Sequence, residues 1–296
     1  MLKPVASAIA ILVASAIASP TVAAIVETTV EIPVEVSDDI GPLARQPINV
    51  MIVRDDARPR APFMILNHGR AGESAQRAAL KPEGYGANAR YFVGSGYAVF
   101  IPVRVGYGAS GGPDVEFSGR CESKNYRRAY EAGAAQIVAV VDYAKAQPYI
   151  DPARGVVAGQ SFGGTISIAI AARNIPGVLA ALNFAGGGGG RPATHPEQPC
   201  GADRLAQLFG TYGTTARIPT LWLYSTNDKF WGQAIPRTWH SAFVDAGGTG
   251  TFVTLPPYKT DGHGSFTRAR DAWRPAVETF LELCCAASER TTAAPQ

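Results

Sequence analysis

Residues 155–172 open with Gly155-Val156-Val157-Ala158-Gly159-Gln160-Ser161-Phe162-Gly163-Gly164 and continue from Thr165 to Ala172 without a charge. A short apolar run suited to a buried strand enters a tight turn, and a helix-like stretch leaves it. A strand that turns this sharply into a helix has no room for side chains beside the apex. Gly159 and Gly163 therefore flank Ser161 for a steric reason. The serine at the apex is held in strained backbone geometry, which lifts its hydroxyl above the sheet edge. The helix beneath presents its first N–H groups and a partial positive charge. Glycine–x–serine–x–glycine between a strand and a helix is the pattern of a serine nucleophile.

A serine hydroxyl is a weak nucleophile at neutral pH. It needs a base to take its proton and a carboxylate to orient that base. The histidines are His68, His195, His240 and His263. His263, in Asp261-Gly262-His263-Gly264, follows the last strand-like run and precedes the last helix. Sites in open α/β sheets assemble in such loops at strand C-termini, and the flanking glycines leave the imidazole free to reach the serine. His195 lies in an insertion and His240 in a helix, where each is expected to be structural or solvent-facing. Asp228, in Ser225-Thr226-Asn227-Asp228, closes another strand and is the expected acid; it can also cap a helix. Asp245 and Asp261 are weaker candidates. Asn67-His68-Gly69-Arg70 follows an earlier strand. There a backbone N–H of Arg70, or of its neighbour Gly69, is expected to join that of Phe162 in holding a developing oxyanion, with His68 packed behind the loop. Tyr107, Trp231, Trp239 and Tyr258 lie near the same edge, where each can line a pocket or serve as core.

Outward from this stretch, strand and helix alternate. Val26–Val36 alternates polar and apolar residues, as a half-exposed antiparallel strand does, and Ile48–Arg54 is a second strand-like run. Near-continuous apolar runs then occur at Phe63–Leu66, Ala98–Val103, Val156–Ala158, Val178–Phe184, Thr220–Tyr224 and Thr251–Leu255. Such runs suit strands covered on both faces. Helices are expected over Ala87–Ser95, Lys124–Ala146, Phe162–Ala172, Ala202–Phe209, Trp231–Ala246 and Phe266–Leu283, with Pro148 ending the second. The alternation predicts an α/β layered fold with helices on both faces of a mostly parallel sheet. One domain is expected over residues 25–296. The insertion Gly186–Ile218 is too short for a domain of its own and is expected as a small lid. Its glycine run, Gly186–Gly190, reads as a flexible loop.

The 296 residues are 46% hydrophobic and only 17% charged, which speaks for a packed core rather than a solvated disordered chain. Net charge is +3 without a dense Lys/Arg cluster. Nucleic acid is therefore not the expected partner. Lys3, the apolar stretch Val5–Ile17 and the small residues ending at Ala23 and Ala24 have the layout of a cleaved secretory signal over residues 1–24. The apolar stretch is too short to span a bilayer comfortably. The mature protein is expected to be exported, periplasmic or secreted, without stable membrane insertion. Export permits disulfides. Cys121 and Cys200 both fall in predicted loops and can pair, but with Cys284 and Cys285 three complete pairings are open.

Asn67-His68-Gly69, Gly106-Tyr107-Gly108-x-Ser110-Gly111, Gly159-Gln160-Ser161-Phe162-Gly163, Asn227-Asp228 and Gly262-His263-Gly264 occur in this order along the chain. In these segments, from about Pro47 to Leu283, it resembles the α/β-hydrolases, and among them exported members of the dienelactone hydrolase-like branch. The resemblance implies a central, mostly parallel eight-stranded sheet and a triad of Ser161, His263 and Asp228. Dienelactone hydrolases proper use a cysteine nucleophile, and Ser161 stands in its place here. Carboxylic esters are thus the expected small-molecule substrates, cleaved through an acyl-enzyme without metal or organic cofactor. Two rival readings use the same scaffold. A serine exopeptidase would need an acidic cluster for the substrate amine, and the insertion offers only Glu197 and Asp203. A non-catalytic binding protein would lack a triad member.

Overall fold

The computed structural model describes residues 24–38 and 41–285. The expected leader, apart from Ala24, falls outside them, as does the side chain of Cys285. The strands are β1 (Ile25–Asp38), β2 (Gly41–Asp55), β3 (Ala61–Asn67), β4 (Ala98–Val103), β5 (Ile150–Gln160), β6 (Val178–Phe184), β7 (Thr220–Ser225) and β8 (Gly250–Leu255). They form one sheet in the order β1-β2-β4-β3-β5-β6-β7-β8. The β1–β2 and β2–β4 pairs are antiparallel and every other pair is parallel. In β1 the pattern resolves as expected: Ile32, Val34 and Val36 are buried while Glu31 and Glu35 face water.

The central strands are covered twice because their side chains alternate between two apolar layers. Phe63 and Ile65 point into one layer, Met64 and Leu66 into the other. The helices are α1 (Ser74–Ala78), α2 (Gly86–Gly94), α3 (Tyr126–Lys145), α4 (Phe162–Ala171), α5 (Ala202–Thr215), α6 (Ala234–Asp245), α7 (Ser265–Arg268) and α8 (Arg270–Cys285). Ile137 and Val141 of α3 and Ile166 and Ile170 of α4 fill the first layer. Phe92 of α2 and Trp273 and Val277 of α8 fill the second. Helix α3 begins where the Asn125 side chain accepts the N–H of Arg128 at 3.1 Å, a capping bond, and it ends before Pro148.

Four expectations change. Helix α5 runs on to Thr215, because Leu205, Leu208, Phe209 and Tyr212 keep one buried face at helical spacing. The last expected helix is two, broken at Ala269, which leaves helical geometry (φ −133°, ψ 52°). The insertion 186–218 is more than a small lid: α5 sits in the core with Trp239 and Phe243 of α6.

Its glycine run is not a loose loop either. Gly187 and Gly188 are buried. A Cβ on Gly187 would come within 2.7 Å of Trp239 and 2.8 Å of Trp231. One on Gly188 would collide with the Tyr130 hydroxyl, and one on Gly190 would lie 2.6 Å from Phe230. The run is bare because aromatic rings press against the backbone, where any side chain would overpack the wall.

Candidate active site

The parallel register brings strand ends to one rim. Asn67 of β3 pairs with Gly159 of β5, Gln160 with Phe184 of β6, and Phe184 with Leu223 of β7. Ser161 follows β5 at once, with φ 55° and ψ −124°. This is a left-handed region that non-glycine residues enter only when the surroundings impose it. They do so here. Ser161 donates its N–H to the Phe184 carbonyl at 2.9 Å, and its own carbonyl accepts from Gly164 at 2.9 Å and Thr165 at 3.3 Å. A Cβ on Gly159 would fall against the Gly163 carbonyl, and one on Gly163 against the carbonyls of Asn67 and His68. Both flanking glycines are thus demanded by backbone approach.

Asp228 lies in the loop after β7 and His263 in the loop after β8. The structure brings the two together: Asp228 Oδ2 is 2.9 Å from His263 Nδ1, with the carboxylate fully buried and the imidazole 11% exposed. Asp228 Oδ1 accepts from the N–H of Phe230 at 2.8 Å and of Trp231 at 3.3 Å. The carboxylate therefore orients the ring and caps the turn at once. With Nδ1–H directed at Asp228, Nε2 keeps the lone pair that a general base needs. Asp261 has a local task, accepting the N–H groups of His263 at 3.0 Å and Lys229 at 3.1 Å.

The Gln160 side chain ties the histidine loop to the serine elbow. Its Nε2 donates to the His263 carbonyl at 3.0 Å, and its Oε1 accepts from the Tyr85 hydroxyl at 3.1 Å. Tyr85 in turn accepts the Gly69 N–H at 3.1 Å. Burial pushes the Tyr85 hydroxyl pKa up, so it remains a donor. This corrects one expectation: the Gly69 N–H is committed to Tyr85 and is not an oxyanion donor. Gly69 still matters by its bareness, since a Cβ there would stand 3.3 Å from Ser161 Cβ and 3.8 Å from its Oγ. The 67–70 loop thus passes directly over the serine. The Arg70 N–H and the Phe162 N–H are left as the candidate donors, the latter in the first turn of α4, where N–H groups have no partner within the helix.

His68 packs behind this loop as expected. Its Nδ1 is 2.7 Å from the Gly69 carbonyl and its Nε2 accepts the Arg104 N–H at 3.2 Å, which fits a neutral ring protonated at Nδ1. Burial first and Arg104 second hold its pKa well below 6.5. Arg104 and Glu116 form a fully buried ion pair, and Glu116 also accepts from the Tyr107 hydroxyl at 2.7 Å. Tyr107 is thereby a buried support and Trp239 is core, while Trp231 does line the cleft. Tyr258 meets Asn227 at the far end of that loop, its N–H donating to the Asn227 side chain at 3.0 Å. His195 is exposed, and half-buried His240 packs edge-on against Trp222.

Beside Ser161 opens a cleft of about 440 Å³, lined by Phe162, the glycine wall, Phe230 and Trp231 and by the charged side chains of Arg70, Arg77, Asp114 and Lys124. Phe230 also borders the smaller hollow beside His263, and its ring stacks on the imidazole with centroids 3.8 Å apart. Phe230, Gln160, Tyr85 and Lys124 were not singled out from sequence; only Phe230, two residues past Asp228, carried a local signal. A disulfide joins Cys121 to Cys200. It links the 3₁₀ turn Cys121–Ser123, just before Lys124, to the segment whose Cys200 N–H donates to the Gly189 carbonyl at 3.0 Å.

Residues 84–178, which contain the elbow, match the prolyl oligopeptidase family model. Comparison with curated proteins found no match. Among solved structures, the chain is similar to a candidate dienelactone hydrolase from Klebsiella pneumoniae, at 20% identity and a TM-score of 0.59, covering 86% of this chain and 98% of that one. A dienelactone hydrolase-like promiscuous phosphotriesterase from metagenomic libraries aligns at 15% identity and a TM-score of 0.58, covering 87% and 98%. An acetyl xylan esterase from Paenibacillus aligns at 14% identity and a TM-score of 0.56, covering 86% and 88%. With its sheet order, its serine elbow and these likenesses, the chain has the α/β-hydrolase fold.

Proposed function

We propose that the protein is a serine hydrolase that cleaves carboxylic esters of small molecules. The observation that carries this reading is the pairing of a strained Ser161 elbow with an Asp228–His263 hydrogen bond at the same sheet rim. Ser161 Oγ attacks the ester carbonyl while His263 Nε2 accepts its proton. Asp228 holds the ring and stabilises the imidazolium. The N–H groups of Phe162 and Arg70 stabilise the tetrahedral oxyanion, each such donor being worth about 3–4 kcal/mol in the transition state. His263 then gives its proton to the leaving alkoxide, and activates the water that releases the acid and regenerates the serine.

The prolyl oligopeptidase match favours a second reading, an exopeptidase. Such an enzyme must neutralise the substrate's terminal ammonium. The cleft offers Asp114, which is already held by both nitrogens of Arg70 at 2.6 Å. Esters therefore fit better than aminoacyl amides, and turnover of p-nitrophenyl acetate against aminoacyl nitroanilides separates the two.

The direct test is Ser161→Ala. It is expected to lower kcat about 10⁴- to 10⁶-fold and to abolish labelling by a fluorophosphonate, with the fold retained. Near-normal esterase activity in that variant would remove the assignment. Export is part of the same proposal. The Cys121–Cys200 bond belongs to an oxidising compartment, and no helix among the described residues is long and apolar enough to cross a membrane.

A further inference from the structure

His263 has aromatic neighbours as well as an acid. Phe230 lies flat on the imidazole, with centroids 3.8 Å apart and planes 20° from parallel. Trp231 stands nearly perpendicular to the imidazole, with centroids 5.4 Å apart and 75° between the planes. Both rings are fixed. Trp231 Nε1 donates to the Ala185 carbonyl at 2.8 Å. The Phe230 N–H donates to Asp228 Oδ1, while Oδ2 of the same carboxylate holds His263 Nδ1. One carboxylate therefore sets both the imidazole and the ring that covers it. The Gly190 backbone presses on that ring: a Cβ there would lie 2.6 Å from Phe230 Cδ1 and 3.1 Å from its Cβ. The carbonyl of the neighbouring Lys229 accepts the Glu197 N–H at 2.7 Å and ties the turn to the insertion.

Such a stack is unusual for two neutral rings. Aromatic faces are negative, so neutral pairs favour offset or edge-on arrangements, with centroids about 4.5–7 Å apart. The Trp231 contact fits that pattern and the Phe230 contact does not. Protonation of the imidazole reverses the balance. An imidazolium is a flat cation, and a cation within about 6 Å of a ring centroid is attracted to the ring's face. The Phe230 face is therefore worth more to His263 after it has taken a proton than before. His263 carries that proton in the transition states of both acylation and deacylation. An interaction that is stronger in the transition state than in the ground state raises kcat rather than tightening substrate binding.

We propose that Phe230 is a positioning residue for the general base, its ring face holding His263 in place and stabilising the imidazolium that each chemical step creates. The proposal rests on the hydrolase reading and deepens it. Neither the elbow nor the Asp228–His263 bond requires an aromatic side chain at position 230. A purely steric role would accept any side chain of the same shape, whereas an electrostatic one needs a negative face. Fluorination separates the two, since it nearly preserves the ring's outline while draining charge from its face.

The test replaces Phe230 by mono-, tri- and pentafluorophenylalanine and follows the hydrolysis of p-nitrophenyl acetate. Along that series kcat and kcat/KM are expected to fall together, by about 3- to 30-fold at pentafluorophenylalanine, with KM nearly constant. Phe230→Leu, which has no aromatic face, should fall at least as far, whereas Phe230→Tyr, which keeps the face, should retain most of the wild-type kcat. Thermal midpoints establish that each variant is folded. A flat kcat across the fluorinated series overturns the proposal, and so does a Phe230→Leu variant as fast as the wild type. In either case turnover that is lost in Ser161→Ala leaves the hydrolase reading standing. If the wild type turns over no ester and takes up no fluorophosphonate, the hydrolase reading itself fails and the proposal falls with it.

Discussion

The residue between the first glycine of the elbow and its serine carries more than the motif requires. The pattern leaves position 160 open, yet Gln160 holds the His263 carbonyl with one end and Tyr85 with the other. Nothing local in the sequence marks this task, since both partners arrive from distant parts of the chain. The placement of Ser161, Asp228 and His263 at strand ends was legible because strained turns and strand-end loops leave local signatures. Gln160 and Lys124 were not, because their partners are set by tertiary packing. Gln160→Ala should let the histidine loop drift while the Asp228–His263 bond persists. Misplacement of about 1 Å can cost up to about 100-fold, so a loss of about 10- to 100-fold in kcat with a smaller change in KM is expected in steady-state assays. An unchanged kcat would show that the loop needs no such tie.

At the scale of elements, all eight strands could be placed in advance. Strands covered on both faces must be apolar throughout, and β1, covered on one, must alternate. The glycine run was misread for an equally physical reason. Glycine is taken as freedom by default, whereas here it is the only residue that fits beneath Trp231, Trp239 and Tyr130. Gly188→Ala separates the two meanings. A flexible loop would absorb the methyl group. This wall should overpack, with a stability loss of about 1–3 kcal/mol in urea unfolding and a drop in kcat/KM as Tyr126 and Tyr130 are pushed aside. Helix ends were the least legible feature: α5 outran its expected stop because a buried face, not a local signal, decides where it ends.

Over the whole molecule, buried histidine makes stability depend on pH. The His68 pKa lies well below 6.5 in the folded state, and half-buried His240 is lowered too, in both cases mainly by burial. An unfolded chain takes up these protons near pH 6.5, and the folded one does so only at lower pH. The unfolded state therefore binds more protons in that window. Stability is full above about pH 6.5 and falls as pH drops towards the folded values, by at most about 1.4 kcal/mol per pH unit for each histidine. Urea midpoints between about pH 7.5 and 5 check this; a flat profile would contradict a neutral buried ring. The disulfide closes a loop of 79 residues in sequence separation. On chain-entropy grounds its reduction should cost about 4 kcal/mol, read as a lower unfolding midpoint in reductant. The same bond fastens the Lys124 segment to the glycine wall, whereas the elbow and its histidine are held by other bonds. Protein produced in a reducing cytoplasm should therefore keep a serine that a fluorophosphonate labels but have a looser cleft wall, read as a raised KM that air oxidation after purification brings back down.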